Sequence, residues 1–153
     1  MKILEYDVYL DDMQHPFLKT IRQSESVKEA FTTPKDIAEE LINIYDLDKK
    51  AEESVIMLAL NTKCKPLGVF EIFKGTINGC MFNPREILIR AVLVGAAHIV
   101  CVHNHPSGIL KPSKEDKNVS KRLYAACEMV GIPLLDFIIV KNGYFSFKEA
   151  EII

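Results

Sequence analysis

The residues best suited to chemistry lie in one segment, HNHPSGILKPSKED, at positions 103–116. His103 and His105 stand two residues apart at the end of a predicted strand, so their side chains point to the same side. Neutral imidazole is a good ligand for Zn²⁺. Asp116 follows in the first turn of a predicted helix, and a loop of Pro and Gly can bring that turn back over the strand end. Two imidazoles and one carboxylate leave a fourth tetrahedral position for water, which is the pattern of a catalytic zinc site.

Two plainer interpretations of the same residues remain open. Two histidines in a polar loop can serve only as hydrogen-bonding groups. Ser113-x-x-Asp116 is also a capping box, in which Ser113 caps the helix and Asp116 lies in its first turn. The capping and metal interpretations are compatible, because a helix N-terminus fixes the position of the carboxylate while Ser113 faces the site.

The spacing resembles the metal signature of JAMM (JAB/MPN) metalloproteins, namely His103-x-His105, seven residues, and then Ser113-x-x-Asp116. The wider sequence, HNHPSG…PSKED with PREI upstream and LLDFIIV…YFSF downstream, is similar to the bacterial RadC-like branch of that family. The similarity covers roughly residues 50–150. It implies a JAB/MPN, cytidine-deaminase-like architecture, in which His103, His105 and Asp116 hold Zn²⁺ together with a water molecule.

The resemblance also implies a glutamate at the start of the strand that precedes the metal loop. The matching residue is Glu53, directly before SVIMLALN. In that family the glutamate is the general acid and base for the metal-bound water, and Ser113 would donate a hydrogen bond to the oxyanion. Without the resemblance, Glu53 is interpreted as a solvated charge beside Glu52, and Glu52 remains a substitute for the role.

The chain departs from the RadC-like pattern in identifiable places. RadC-like proteins usually carry Asp-His after the third helix, where this chain has Asp136-Phe137, a change that affects a neighbouring contact rather than the metal motif. Longer members carry an N-terminal helix-hairpin-helix segment associated with DNA binding, and residues 1–52 contain no GxG-type hairpin. Asn104 is the RadC-like choice where the deubiquitinase branch has Ser or Thr. The adjacent letters HNH do not indicate an HNH nuclease, whose key residues are spread over a ββα unit.

Periodicity and capping residues predict the elements that must position this site. Helix starts are predicted at Thr33-Pro34, at Asn83-Pro84 and after Ser113, and the second helix is expected to run to about Ala97 as a central buried element. Residues 11–32 are polar and are predicted to be an irregular surface connection. Strands are predicted at residues 3–10, 54–60, 67–73, 98–103, 134–140 and 144–147.

These elements predict an α/β fold with a mixed β-sheet flanked by helices. Residues 1–49 would supply an N-terminal strand, a connection and a helix that pack on the domain, and residues 50–153 would form the RadC-like JAB/MPN metal-binding domain. A chain of 153 residues, 48% of them hydrophobic, is long enough to bury a core without disulfides. The four cysteines, Cys64, Cys80, Cys101 and Cys127, include no CxxC pair and are predicted to be reduced thiols.

The charge balance gives no support for a general DNA-binding protein. The chain has 19 Lys and Arg against 21 Asp and Glu, a net charge of -2, whereas phosphate neutralisation supplies most non-specific DNA affinity. A local basic cluster is either a solvated helix face or a docking patch for an acidic partner or nucleic acid. Its members are Lys111, Lys114, Lys117, Lys121 and Arg122.

The predicted metal site together with the resemblance implies a cytoplasmic zinc metallopeptidase of the JAMM type, and the resemblance implies cleavage of an amide or isopeptide bond in an unidentified protein or peptide. No signal peptide or membrane-spanning segment is indicated. The alternatives are a non-catalytic MPN-type binding module and a DNA-associated RadC-like accessory protein.

Overall fold

The computed structural model describes residues 1–26, 28–75 and 83–153. Within these ranges the chain forms one seven-stranded sheet and three helices. The bounds are β1 Lys2–Leu10, β2 Pro16–Glu25, α1 Pro34–Tyr45, β3 Glu53–Leu60, β4 Pro66–Gly75, α2 Pro84–Leu93, β5 His98–Asn104, α3 Lys114–Val130, β6 Leu134–Lys141 and β7 Gly143–Ser146.

The sheet is mixed, as the sequence predicts, with the strand order β2-β1-β4-β3-β5-β6-β7. β3 lies at its centre and runs antiparallel to both β4 and β5. Two neighbouring pairs are parallel, β1 with β4 and β5 with β6. The β5–β6 pair needs a crossover connection, and α3 supplies it. The end of β5 and the start of α3 are therefore brought to the same edge of the sheet.

Helices cover both faces of the sheet and explain why its central strand is apolar throughout. Val55 and Met57 of β3 point to the face covered by α2 and α3. Ile56 and Leu58 alternate with them and point to the face covered by α1. A strand buried on both faces carries a continuous hydrophobic run instead of an alternating one. The predicted α/β class is confirmed.

The helix caps lie where the sequence places them. Thr33 Oγ1 accepts a hydrogen bond from the Asp36 amide, and Asn83 Oδ1 accepts one from the Arg85 amide. Gly131 ends α3 in the left-handed conformation at a φ of 78°, which glycine adopts without a steric penalty. These local signals fix the ends of the elements that carry the site.

Two predictions of local structure are wrong. Residues 11–32 are not an irregular connection, because β2 runs from Pro16 to Glu25 and pairs antiparallel with β1. Nearly every residue of β2 is exposed on both faces, so its sequence carries no hydrophobic alternation. The second helix ends at Leu93 and exposes one side, with Val92 58% exposed. Its neighbours cover only the face that Ile87 and Ala91 present.

Two further points concern Cys80 and the length of the helices. Cys80 lies outside the described residues. No helix in the described ranges has both the length and the hydrophobicity to cross a membrane.

Candidate metal centre

β5 carries His103, and His105 follows directly after the strand ends at Asn104. The strand lies between β3 and β6 and is buried over nearly its whole length. His103 is fully buried and His105 is 8% exposed. Because side chains alternate along a strand, both imidazoles point to the sheet face on which Cys101 packs against α2 and α3.

The first turn of α3 carries the carboxylate. Ser113 Oγ accepts a hydrogen bond from the Asp116 amide at 3.0 Å, and Asp116 Oδ2 accepts one from the Ser113 amide at 2.7 Å. This reciprocal capping box confirms the local prediction and leaves Asp116 only 3% exposed. The carboxylate is held in place by the helix start before any ligand binds.

The three side chains converge on one point. His103 Nε2 and His105 Nε2 are 2.9 Å apart. Asp116 Oδ1 lies 3.4 Å from His103 Nε2, and Asp116 Oδ2 lies 3.3 Å from His105 Nε2. The structure thus brings together all three residues that the sequence predicts as metal ligands, and one ligand atom from each lies within 4.8 Å of the others.

These distances fit a tetrahedral metal ion. Ligands bound to Zn²⁺ at about 2.0–2.1 Å in a tetrahedron are separated by about 3.3 Å. Each imidazole nitrogen lies at about that separation from one oxygen of Asp116, Oδ1 for His103 and Oδ2 for His105. For a single carboxylate oxygen to serve as the ligand, the carboxylate must turn, and the two nitrogens need to part by about 0.4 Å. Two imidazoles and one carboxylate also form the donor set of open, catalytic zinc sites. The residues present can therefore hold a divalent metal ion.

The two imidazoles are oriented in different ways. His105 Nδ1 lies 2.6 Å from the Ile109 carbonyl oxygen, to which it donates, so the neutral ring turns a lone pair of Nε2 towards the site. His103 Nδ1 is buried, and no described residue offers it a hydrogen bond. Instead the Phe137 ring packs beside the His103 ring, with centroids 5.2 Å apart. His103 is thus oriented by ring packing on its Nδ1 side and by its polar contacts at Nε2.

The electrostatics of the centre favour a carboxylate anion. Burial raises the pKa of Asp116, but hydrogen bonds from His103 and His105 and from the Ser113 amide outweigh burial and hold that pKa well below its usual range. Burial lowers the pKa of His105, but the Asp116 carboxylate, the Ile109 carbonyl and the nearby Glu53 carboxylate together raise it. The centre attracts positive charge, whether a proton or a metal ion.

Glu53 lies on the same side of the sheet as the histidines. Val55 pairs with His103 across the antiparallel β3–β5 ladder, so Glu53, two residues earlier, is placed opposite His105 on the same face. Its carboxylate is close enough to contribute to the raised pKa of His105. Glu53 is half-buried, whereas Glu52 is exposed and precedes the strand. Of the two glutamates, Glu53 has the placement that an acid and base beside the metal would need.

The remaining candidates are the cysteines and the basic cluster. Burial raises the pKa of both Cys101 and Cys127, that of Cys127 to about 12, so both remain protonated thiols in the apolar core. The basic cluster predicted from the sequence lies on the exposed side of α3 and on the loop before it.

Two contributors to the site were not predicted. Asn104 is fully buried and bonds to the main chain on both sides of Glu53. The Ile109 carbonyl orients His105, and a main-chain group leaves no trace in side-chain identity. Only Asn104 gave a signal, as a polar residue at the end of an otherwise apolar strand.

Fold and site together define a class: α/β domains in which two imidazoles from a buried strand and a carboxylate from the next helix form a candidate metal centre. A sequence model of the family described as the RadC-like JAB domain matches residues 9–152. The chain belongs to this family, and the resemblance detected in its sequence is confirmed. The match begins well before residue 50, so it includes the last two residues of β1 and all of β2 and α1.

Several clostridial relatives support the assignment. A UPF0758 protein of Clostridium acetobutylicum is 39% identical over 132 residues, which make up 86% of this chain and 56% of that protein. A UPF0758 protein of Clostridium perfringens strain 13 is 38% identical over 136 residues, 88% of this chain and 59% of that protein. One from Clostridium botulinum strain Eklund 17B is 43% identical over 118 residues, 76% of this chain and 51% of that protein. The chain thus spans little more than half the length of these relatives.

Proposed function

We propose that this protein is a zinc-dependent hydrolase of the JAMM type that cleaves amide or isopeptide bonds. The observation that carries the proposal is the convergence of His103, His105 and Asp116 on the sheet face that also carries the half-buried Glu53. A scaffold gains little stability from burying two imidazoles against a carboxylate, because their mutual contacts must first offset the desolvation of all three groups. Membership of the RadC-like JAB family is consistent with the same chemistry.

Each residue has a distinct role in this proposal. His103, His105 and Asp116 would hold the metal through two nitrogens and a carboxylate oxygen. A bound Zn²⁺ lowers the pKa of a coordinated water from 15.7 towards about 7. Glu53 would take up the water proton and pass it to the leaving amine.

Ser113 would act on the carbonyl oxygen of the scissile bond. Its Oγ accepts the Asp116 amide through a lone pair, which leaves the hydroxyl proton to donate to a developing oxyanion. One such donor typically contributes about 2.7–4 kcal/mol to the transition state. The exposed position of Ser113 at the start of α3 is compatible with contact to a substrate.

The test replaces Glu53 by glutamine, which preserves shape and removes the base. Wild type and Glu53→Gln are loaded with Zn²⁺ and assayed on internally quenched peptides and lysine-linked isopeptides, with EDTA as a control. Zinc content should be unchanged, while turnover falls by about 10²–10⁴-fold, the usual contribution of general acid–base catalysis. Glu52→Gln is the matched control and should retain full turnover.

Two results would contradict the proposal. Full turnover in Glu53→Gln would remove that residue from the mechanism, and loss of turnover in Glu52→Gln would transfer the role to its neighbour. Cleavage of no probe by the zinc-loaded wild type would count against hydrolysis and favour a binding module.

A second candidate, docking on an acidic partner without catalysis, is favoured by the charge on α3. Lys111, Lys114, Lys117 and Lys121 are exposed, and none of them forms an ion pair with another described residue. Titration with duplex DNA tests the nucleic-acid form of this candidate. We expect weak or no binding at physiological salt because the net charge is -2. Sub-micromolar, salt-sensitive and zinc-dependent binding would favour the DNA-associated role.

A further inference from the structure

We infer that Asn104 is the positioning residue for Glu53, an inference that rests on the proposed role of Glu53. Asn104 is the last residue of β5, stands between His103 and His105 in the chain and is fully buried. Alternation along the strand points its side chain away from the ligand atoms of His103 and His105. The side chain is therefore not a ligand, and its contacts must explain why a polar group is buried there.

The contacts of Asn104 lie on both sides of Glu53 in the chain. Asn104 Oδ1 accepts a hydrogen bond from the Ser54 amide at 2.8 Å. Asn104 Nδ2 donates to the Glu52 carbonyl at 3.0 Å and, at 3.5 Å, to the Lys50 carbonyl. One planar amide thus holds the peptide groups immediately before and after Glu53.

These bonds replace main-chain pairing where it stops. The β3–β5 ladder pairs Val55 with His103 and continues to Leu60, but no pair precedes Val55. Glu53 is paired on its other side, with Gly75 of β4. On the side of β3 that faces β5, the Asn104 side chain therefore links Glu53 to the strand of the histidines. The Asn104 link therefore ties Glu53 to the strand that carries the histidines, whereas Asp116 is held separately by α3.

The chemistry of the link selects asparagine. The amide must accept from one main-chain group and donate to two others, and asparagine carries both functions at one end of a short side chain. Aspartate keeps the acceptor but turns a carboxylate oxygen towards the Glu52 carbonyl. Alanine leaves a buried amide and a buried carbonyl without partners, which costs free energy in proportion to their desolvation.

The experiment compares Asn104→Ala and Asn104→Asp with two matched controls in the full chain. Val102→Ala removes buried volume from the same strand without touching the link. Asn61→Ala removes an equivalent set of bonds at the other end of β3, where Asn61 Oδ1 accepts from the Lys63 and Lys65 amides. Four quantities are measured: zinc content, kcat and KM on any cleaved probe, hydrogen exchange of the Ser54 amide, and paramagnetic relaxation of the Glu53 carboxyl carbon in the Co²⁺-loaded protein.

Asn104→Ala should retain zinc, because all three ligands remain. Exchange of the Ser54 amide should become about tenfold faster or more, since its acceptor is gone. Relaxation of the Glu53 carboxyl carbon by Co²⁺ should weaken as that side chain moves away from the metal. The value of kcat should fall by about 10²-fold, the effect of a misplacement near 1 Å, with KM unchanged. Asn104→Asp should keep Ser54 protected and show a smaller loss, and both controls should match wild type.

Wild-type exchange at Ser54 together with wild-type relaxation at Glu53 in Asn104→Ala would overturn the inference, even if turnover fell. If Asn104→Ala does not fold, Asn104→Asp decides by the relaxation of Glu53 alone, and a wild-type value overturns the inference. Full turnover in Glu53→Gln would instead overturn the proposed function, and the exchange and relaxation results would still decide whether Asn104 positions Glu53.

Discussion

Asp116 and Asp136 are equally buried, yet their pKa values are shifted in opposite directions. Each is 3% exposed. The pKa of Asp116 is held well below its usual range, whereas the pKa of Asp136 is raised. Burial raises the pKa of both, so the difference must come from the groups that face them.

The two sets of partners differ in whether they can carry charge. Asp116 faces two imidazoles as well as the Ser113 amide. Asp136 accepts hydrogen bonds from neutral donors, namely the Ser146 hydroxyl and the Phe137 and Lys148 amides, and these do not offset its burial. A buried carboxylate is thus suited to a cation where its partners are potential cations or ligands. Where its partners are neutral dipoles, it ties chain segments together.

The largest expected effect separates the two carboxylates by metal content. Asp116→Ala should lower zinc from about one ion per chain to none detectable, because it removes one of three protein ligands. Asp136→Ala should keep zinc, since its partners belong to β6, to the end of β7 and to the turn after it. Metal analysis after dialysis measures both. Stoichiometric zinc in the double variant His103→Ala/His105→Ala would show that the centre lies elsewhere.

The next effect concerns stability, for which we expect Asp136 to matter more than Asp116. Asp136→Ala leaves three donors without their acceptor in a buried position, and the free energy of unfolding should fall by about 3 kcal/mol. Ser146→Ala removes only one of those donors and should cost about 1 kcal/mol. Urea denaturation of the zinc-free proteins measures both. Equal losses in the two variants would mean that the amide contacts of Asp136 contribute nothing.

The third effect is a dependence of metal affinity on pH. Zinc requires His105 without its proton, and Asp116, the Ile109 carbonyl and Glu53 raise the pKa of His105 in the metal-free protein. Zinc affinity should therefore fall as the pH drops through that raised pKa, because protons compete for Nε2. Competition titrations against a chelator at a series of pH values measure it. An affinity that stayed constant down to pH 5 would contradict the raised pKa.

The smallest effect is a pair of pH dependences with opposite signs in the zinc-free protein. The pKa of Asp116 is depressed by folding, so its stabilisation is present above its unfolded pKa and is lost as the pH falls below about 4. The deficit of Asp116→Asn should shrink in acid. The pKa of Asp136 is raised, so stability is lost as the pH rises through the folded value. Asp136→Asn should therefore gain stability relative to wild type between pH 4 and 7.

Urea denaturation at several pH values from 3.5 to 7 follows both variants in one experiment. Parallel slopes for Asp116→Asn and Asp136→Asn would show that burial alone governs the two carboxylates.

The sequence predicts the parts of this molecule that local chemistry determines. The caps at Thr33, Asn83 and Ser113 follow from hydrogen bonds within one helical turn, and the ligand set follows from a long, spaced motif. β2 escapes prediction because its strand is defined by main-chain pairing with β1 and not by burial. The role of the Ile109 carbonyl could not be predicted, because every residue type offers the same main-chain acceptor. Asn104 was visible as a residue, but its partners lie about fifty positions away and need the sheet register.

The unpaired Nδ1 of His103 affects how long a metal ion would stay. When Nε2 binds zinc, the proton of the neutral ring must sit on Nδ1, where no described residue accepts it. Loss of such an outer hydrogen bond typically weakens metal binding by about 10–100-fold. His105 is thus anchored at Nδ1 by the Ile109 carbonyl, whereas Nδ1 of His103 has no such anchor and its ring packs beside Phe137. We therefore expect a bound metal ion to exchange with the surrounding pool. The fraction of the protein that carries zinc would then follow the concentration of free zinc.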